Sequence, residues 1–334
     1  MDTHDHPGEM AICDVPVRGA DAPGGQREQA VDVRQLKALV NCPPPRAHRR
    51  RDEKGKEHVT DTDAGRQTIH GHARALDGTP LAYQREGTGP PLVLLAGQAN
   101  NHHWWDGIRA DFHATHSTLT LDWRGTGDSG KPDEHYSTRG LADDVIAVLD
   151  HLGIDRADLY GTSMGGRVAQ WAAARHPDRI GRLVLGCTSP GGPHATERDN
   201  AVRRSLAQPD AQASREALLD LMYTPAWRSA HPGPYTTLGD PGMPPHARRR
   251  HLVASNEHDA WDVLPRIGAP TLILHGDDDR ITPAANAPLL ASRIPDARTH
   301  LFEGARHGYF EECRARASAL VSSFLAASPA EPAS

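Results

Sequence analysis

The stretch that most constrains this 334-residue chain is Leu159-Tyr160-Gly161-Thr162-Ser163-Met164-Gly165-Gly166. It reads Gly-x-Ser-x-Gly, with a β-like run at 157–160 before it and a helical run at 167–175 after it. A serine at so sharp a strand-to-helix turn is held in a strained backbone conformation, its Oγ lifted clear of the sheet. Gly161 and Gly165 carry no side chain where strand and helix come closest. Ser163 also stands at a helix N-terminus, where N–H groups can stabilise a developing negative charge. The alternative is an ordinary glycine-rich turn with a bystander serine, and the rest of the chain decides between the two.

Length allows one large domain or two ordinary ones. A formal net charge of -6, with only four lysines (Lys37, Lys54, Lys56, Lys131), leaves no basic footprint for a nucleic-acid partner. Cys13, Cys42, Cys187 and Cys313 are scattered, so neither a disulfide framework nor a zinc site is indicated. Cys187 and Cys313 read as small buried or half-buried residues. The acidic N-terminus lacks the basic-then-apolar profile of a secretory signal. No apolar run approaches the roughly 20 residues that span a bilayer. The expectation is a cytoplasmic protein with no membrane partner.

Residues 1–66 are polar, rich in Pro, Gly, Asp, Arg and His, and nearly free of aromatics. Such a segment buries too little apolar surface to offset its ordering entropy, so a disordered extension is expected. Within it, 31–40 is an amphipathic candidate for a docked helix, and the mixed charges of 46–56 suggest a solvated linker. His4, His6, His48 and His58 lack ligand spacing, and no metal site is expected there.

From Gln67 onward, runs at 68–75 and 81–86 flank Asp77-Gly78-Thr79-Pro80, a hairpin signature. The apolar run 91–95 has the look of a buried parallel strand. Further strands are expected at 118–122, 180–187, 271–274 and 299–302, and helices at 141–152, 284–293 and 311–326. In the first of these helices Val145, Val148, Leu149 and Leu152 share one side. Alternating strands and helices imply a doubly wound, mostly parallel α/β sheet of eight strands whose first members are antiparallel. The alternation stops over about 189–260, where helical pieces (199–207, 214–222, 246–256) and a Pro/Gly-rich passage at 231–245 read as an inserted helical cap. The expected layout is a body over 67–326 and a short tail at 327–334.

Four further landmarks accompany the elbow. They are Leu92-Val93-Leu94-Leu95-Ala96-Gly97-Gln98, Asp122-Trp123-Arg124-Gly125-Thr126-Gly127-Asp128-Ser129, Leu274-His275-Gly276-Asp277-Asp278-Asp279, and Gly304-Ala305-Arg306-His307-Gly308. Together, over about 67–326, they resemble the α/β-hydrolase superfamily, with the order Ser, Asp, His. The resemblance implies a nucleophile at Ser163, a base at His307 and an orienting acid at Asp279. It also implies an oxyanion hole made by the backbone N–H groups of Gln98 and Met164. Asp277 and Asp278 compete for the acid role, but the family's acid stands three residues after the glycine of this loop. They read instead as solvated loop residues or caps. No Asp or Glu occupies 188–192, the acid position of some relatives.

The oxyanion loop carries Ala96-Gly97 where relatives usually have His-Gly, so its anchoring is expected to differ. His102 and His103, just beyond, read as surface or rim residues. Trp104, Leu221, Met222, Tyr223, Trp227 and Tyr235, with Met164, are candidates for an apolar substrate pocket beneath the cap. About half of these are expected to be core or cap packing. A serine at the elbow, where dehalogenases and epoxide hydrolases of this fold carry an aspartate, implies acyl transfer to water. The group most resembled contains enol-lactonases, esterases and cofactor-free haloperoxidases. The expected activity is hydrolysis of a small-molecule ester or lactone with no cofactor and no metal. Perhydrolysis, C–C hydrolysis, a natural-product tailoring reaction or a ligand-binding protein without turnover would use the same fold.

Overall fold

The computed structural model describes His58–Asp61 and residues 67–327. The stretches 31–40 and 46–56, with His4, His6 and His48, lie outside the described residues. Four residues of the expected extension instead form a strand, β1 (His58–Asp61), paired antiparallel with β2 (Gln67–Arg74). The hairpin to β3 (Pro80–Glu86) turns on Gly78, whose φ of 83° favours glycine, and Asp77 Oδ1 accepts the Thr79 N–H at 2.9 Å.

The chain continues through β4 (Pro91–Leu95), β5 (Ser117–Leu121), α1 (Thr138–His151), β6 (Ala157–Thr162), α2 (Met164–Arg175) and β7 (Ile180–Gly186). Sheet order is β1-β2-β3-β5-β4-β6-β7, followed by β8 (Thr271–Gly276) and β9 (Ala297–Phe302). β5 and every strand beyond it are parallel; β1 to β3 run antiparallel. The eight expected strands are therefore present, and β1 adds a ninth at the edge. After β4 the chain moves outward to β5, then returns past β4 to β6. The order reverses there, and in open α/β sheets ligands bind outside the carboxyl ends of strands at such a reversal.

The central strand β4 is buried on both faces, which explains its unbroken apolar run. Val93 and Leu95 enter one cluster with Leu159, Leu183, Val145 and Leu149; Leu92 and Leu94 enter a second with Tyr160, Val184, Phe302 and Phe310. α1 starts earlier than its apolar stripe because the Ser137 side chain accepts the Gly140 N–H at 3.0 Å. The expected last helix is two pieces, α8 (Tyr309–Glu312) and α9 (Arg314–Ala326), preceded in the chain by α7 (Asn286–Arg293).

After β7 the chain leaves the sheet for α3 (Asn200–Leu206), α4 (Ala211–Met222), α5 (Pro225–Ala230) and α6 (Pro245–Asn256). A bridge between Gly191 and Asp259 joins the two ends of this insertion. α5 went unread in the sequence, although Thr224 caps it and Pro225 opens it, a standard pairing at a helix start. No helix among the described residues is long and apolar enough to cross a membrane.

Candidate active site

At the end of β6, Ser163 adopts φ 55° and ψ -120°, a conformation that costs a non-glycine residue energy. Close packing imposes it. A Cβ on Gly161 would lie 2.3 Å from the Gly165 carbonyl oxygen, and one on Gly165 only 2.0 Å from that of Leu95. Gly165→Ala should therefore destabilise the fold by about 1–3 kcal/mol, read as a fall in Tm. The half-buried Ser163 is fixed by its own N–H on the Gly186 carbonyl (2.9 Å) and by the Thr188 hydroxyl on its carbonyl (2.8 Å). At the start of α2, the N–H groups of Gly166 and Arg167 return to the Ser163 carbonyl. That of Met164 makes no hydrogen bond among the described residues.

Beyond β4, Gly97 has to be glycine because the Trp104 ring covers it; a Cβ would stand 2.7 Å from that ring. The next turn is closed by Asn100, whose N–H reaches the Gly97 carbonyl (3.3 Å) and whose Nδ2 reaches the Gln98 carbonyl (2.9 Å). The Gln98 N–H, like that of Met164, makes no hydrogen bond among the described residues.

Adjacent strands carry the site across the sheet. Cys187 N–H bonds the Leu274 carbonyl, and Gly276 lies against the carbonyls of Ala305 and Arg306. Asp279 and His307 meet there, with His307 Nδ1 2.7 Å from Asp279 Oδ2 and both side chains buried. Asp279 Oδ1 accepts the N–H groups of Ile281 and Thr282, each at 2.9 Å. Burial alone would raise this carboxyl, but His307, His275 and their hydrogen bonds reverse that and hold it well below the usual carboxylate range. Among the described residues no hydrogen bond joins Ser163 Oγ to His307. In free enzymes this contact is commonly long and tightens around substrate.

The rival aspartates also reach the histidine loop, at other points. Asp277 accepts the Gly304 N–H at 2.6 Å, and Asp278 pairs with Arg306 Nε at 3.1 Å. Both residues are exposed, and their carboxylates also tie the two loops together. His275 had no expected role; fully buried, it stands 3.1 Å from Asp279 Oδ2 and 2.7 Å from the Thr282 carbonyl. His102, expected at the surface or rim, is half-buried. Its Nδ1 lies 2.7 Å from Asp122 Oδ1, and the carboxylate, though buried, is held below its usual range by that contact. His103 is the exposed one.

Five of the pocket candidates, Trp104, Met164, Leu221, Met222 and Tyr223, are buried, and Trp104 Nε1 donates to Thr162 Oγ1 at 2.9 Å. Tyr223 packs with the half-buried Trp227 and Tyr235, with ring centroids 4.3 and 5.7 Å away, and its hydroxyl donates to Glu311. The cap touches the histidine loop directly. Gly308 N–H donates to the Met222 carbonyl at 2.8 Å, and Arg306 pairs with Asp220 at 3.1 Å. No group of three or more His, Cys, Asp or Glu among the described residues is placed to hold a metal ion.

A strained serine, two N–H groups without a hydrogen bond among the described residues and a buried His–Asp pair at the carboxyl edge of a doubly wound sheet define a class of protein. Residues 90–312 match the family model described as alpha/beta hydrolase fold, and the chain belongs to that family. It is similar to the 2-hydroxymuconate semialdehyde hydrolase of Pseudomonas putida, 34% identical over 72% of this chain and 89% of the relative. It is also similar to the pimeloyl-[acyl-carrier protein] methyl ester esterase of Aeromonas hydrophila, 29% identical over 69% of this chain and 93% of that one. Among solved structures, the enol-lactonase from Burkholderia xenovorans superposes with a TM-score of 0.64 at 26% identity, covering 77% of this chain and all of that one.

Proposed function

We propose that the chain is a serine hydrolase that cleaves a small carboxylic ester or lactone through an acyl-enzyme. The observation that carries this reading is the Ser163 backbone at φ 55°, together with the Met164 and Gln98 N–H groups, which make no hydrogen bond among the described residues. Ser163 Oγ attacks the carbonyl carbon as His307 takes its proton, forming a tetrahedral oxyanion. The two N–H groups bind that oxyanion, each donor contributing roughly 3–4 kcal/mol to the barrier reduction. His307 then gives the proton to the leaving alkoxide as the C–O bond breaks. Water enters, His307 takes a proton from it, and the second collapse frees the acid and restores Ser163. Asp279 keeps the histidine proton on Nδ1 and stabilises the imidazolium. The ester esterase and enol-lactonase among the relatives support this bond class. The 34% relative favours a second reading, in which the substrate is a 2-hydroxymuconate-type semialdehyde.

The test is a panel of p-nitrophenyl esters, lactones and 2-hydroxymuconate semialdehyde, with fluorophosphonate labelling read by peptide mass. Label on Ser163 and ester or lactone turnover are expected; a ligand-binding protein without turnover would release no p-nitrophenol. The kcat/KM profile should fall on the acid side, because the mechanism needs its general base in the proton-accepting form. Asp279 should not set that limb, since its carboxyl is held well below the ordinary carboxylate range and stays charged. A rate that rises with acid would overturn this assignment.

A further inference from the structure

The turn after β4 is held from outside by the cap. Ala99 has φ 59°, the left-handed region that residues with a Cβ rarely adopt. Its N–H donates to His251 Nδ1 at 3.1 Å, and its carbonyl accepts the Asp240 N–H at 2.7 Å. Asn100 Oδ1 accepts the Gly239 N–H at 2.8 Å. His251, on α6, is completely buried, and its Nε2 lies 2.9 Å from the Arg124 carbonyl. Because a backbone N–H can only donate, Nδ1 is the acceptor and Nε2 carries the proton. Burial lowers the ring pKa to about 4, the bond to the Arg124 carbonyl opposes that, and Arg248 adds to it, so the neutral form persists.

We propose that His251 is a positioning residue for the oxyanion-binding N–H of Gln98, an inference that rests on the hydrolase reading above. The peptide joining Gln98 to Ala99 has its carbonyl on Asn100 and its N–H on His251, so the plane cannot rotate. The preceding peptide has the Gly97 carbonyl turned inward to Asn100 N–H. In a trans peptide the N–H points opposite to the C=O, so this geometry turns the Gln98 N–H outward. Losing the His251 acceptor frees Ala99 to leave its strained conformation and takes the Gln98 donor with it.

Two near-isosteric variants separate the two bonds of the imidazole. His251→Asn keeps an acceptor where Nδ1 stood and gives up the Arg124 bond. His251→Gln reaches the Arg124 carbonyl and gives up the Ala99 bond. With p-nitrophenyl acetate, His251→Gln should lower kcat about tenfold or more, because small misplacements of transition-state contacts are costly, with KM within about twofold. His251→Asn should stay within about threefold. Rates are taken per site titrated by fluorophosphonate, so a poorly folding variant still reports. Equal losses in both variants, a loss confined to KM, or full kcat in His251→Gln overturns the positioning role. Wild-type turnover independent of Ser163 would instead sink the hydrolase reading itself.

Discussion

Ser163→Ala should leave the protein folded, with Tm within a few degrees of wild type, and reduce ester kcat to background. The side chain makes no hydrogen bond among the described residues, so its loss orphans no partner. The strain of φ 55° is imposed by the packing of Gly161, Gly165 and Leu95 and remains in the variant, where alanine bears it as serine did. What disappears is the only atom proposed to bond the acyl group. In a protease of similar chemistry, loss of the nucleophile costs on the order of 10⁶ in kcat, the remainder coming from the oxyanion hole and binding. A comparable fall, with fluorophosphonate labelling abolished, is the expected result. An alanine variant keeping more than a few percent of kcat would remove the acyl-enzyme mechanism.

The elbow was legible because the strand, glycines, serine and helix that announce it are contiguous, over 157–175. Strand, glycines, serine and helix each leave a local signature, and the structure adds only the distances that forbid a Cβ. The parallel strands were legible for a related reason, since burial on both faces leaves no polar residue to interrupt 91–95. The anchoring of the Gln98 turn was not legible. The Ala96-Gly97 departure predicted a different anchor, but His251 lies more than a hundred residues downstream on an arginine-rich helix with no clear apolar stripe. Nothing local says which face of such a helix meets the sheet. Asp240 is similar: one aspartate in a Pro/Gly-rich passage, it accepts the Gly127 N–H at 2.6 Å while its own N–H holds Ala99. The aromatic residues of the cap are weak pocket markers in a sequence because Tyr and Trp serve packing as readily as binding. Sequence shows their type; whether they face the site depends on tertiary contacts such as Tyr223 on Gly308.

The choice among Asp277, Asp278 and Asp279 offers the sharpest test of the site. All three touch the histidine loop, but each holds a different atom: the Gly304 N–H, the Arg306 guanidinium and the His307 ring. Asp279→Asn keeps the shape and can still accept the Ile281 and Thr282 N–H groups through its carbonyl oxygen. It can present an amide NH₂ to Nδ1, favouring the wrong tautomer, and it cannot stabilise the imidazolium. The equivalent change in a serine protease lowers kcat by about 10⁴, and a loss of a few orders of magnitude is expected here. It also removes a buried carboxylate held below its unfolded range. That carboxylate stabilises the fold above about pH 4 and loses its contribution as pH falls toward the native value. The stability gap between wild type and Asp279→Asn should therefore narrow in acid. Asp277→Asn retains an oxygen for Gly304, and Asp278→Asn gives up a half-exposed ion pair of the kind that contributes about 0–1 kcal/mol. Each should cost about tenfold or less in kcat. If Asp278→Asn is the crippled variant while Asp279→Asn turns over normally, the 2.7 Å contact between Asp279 and His307 is not the one that orients the base.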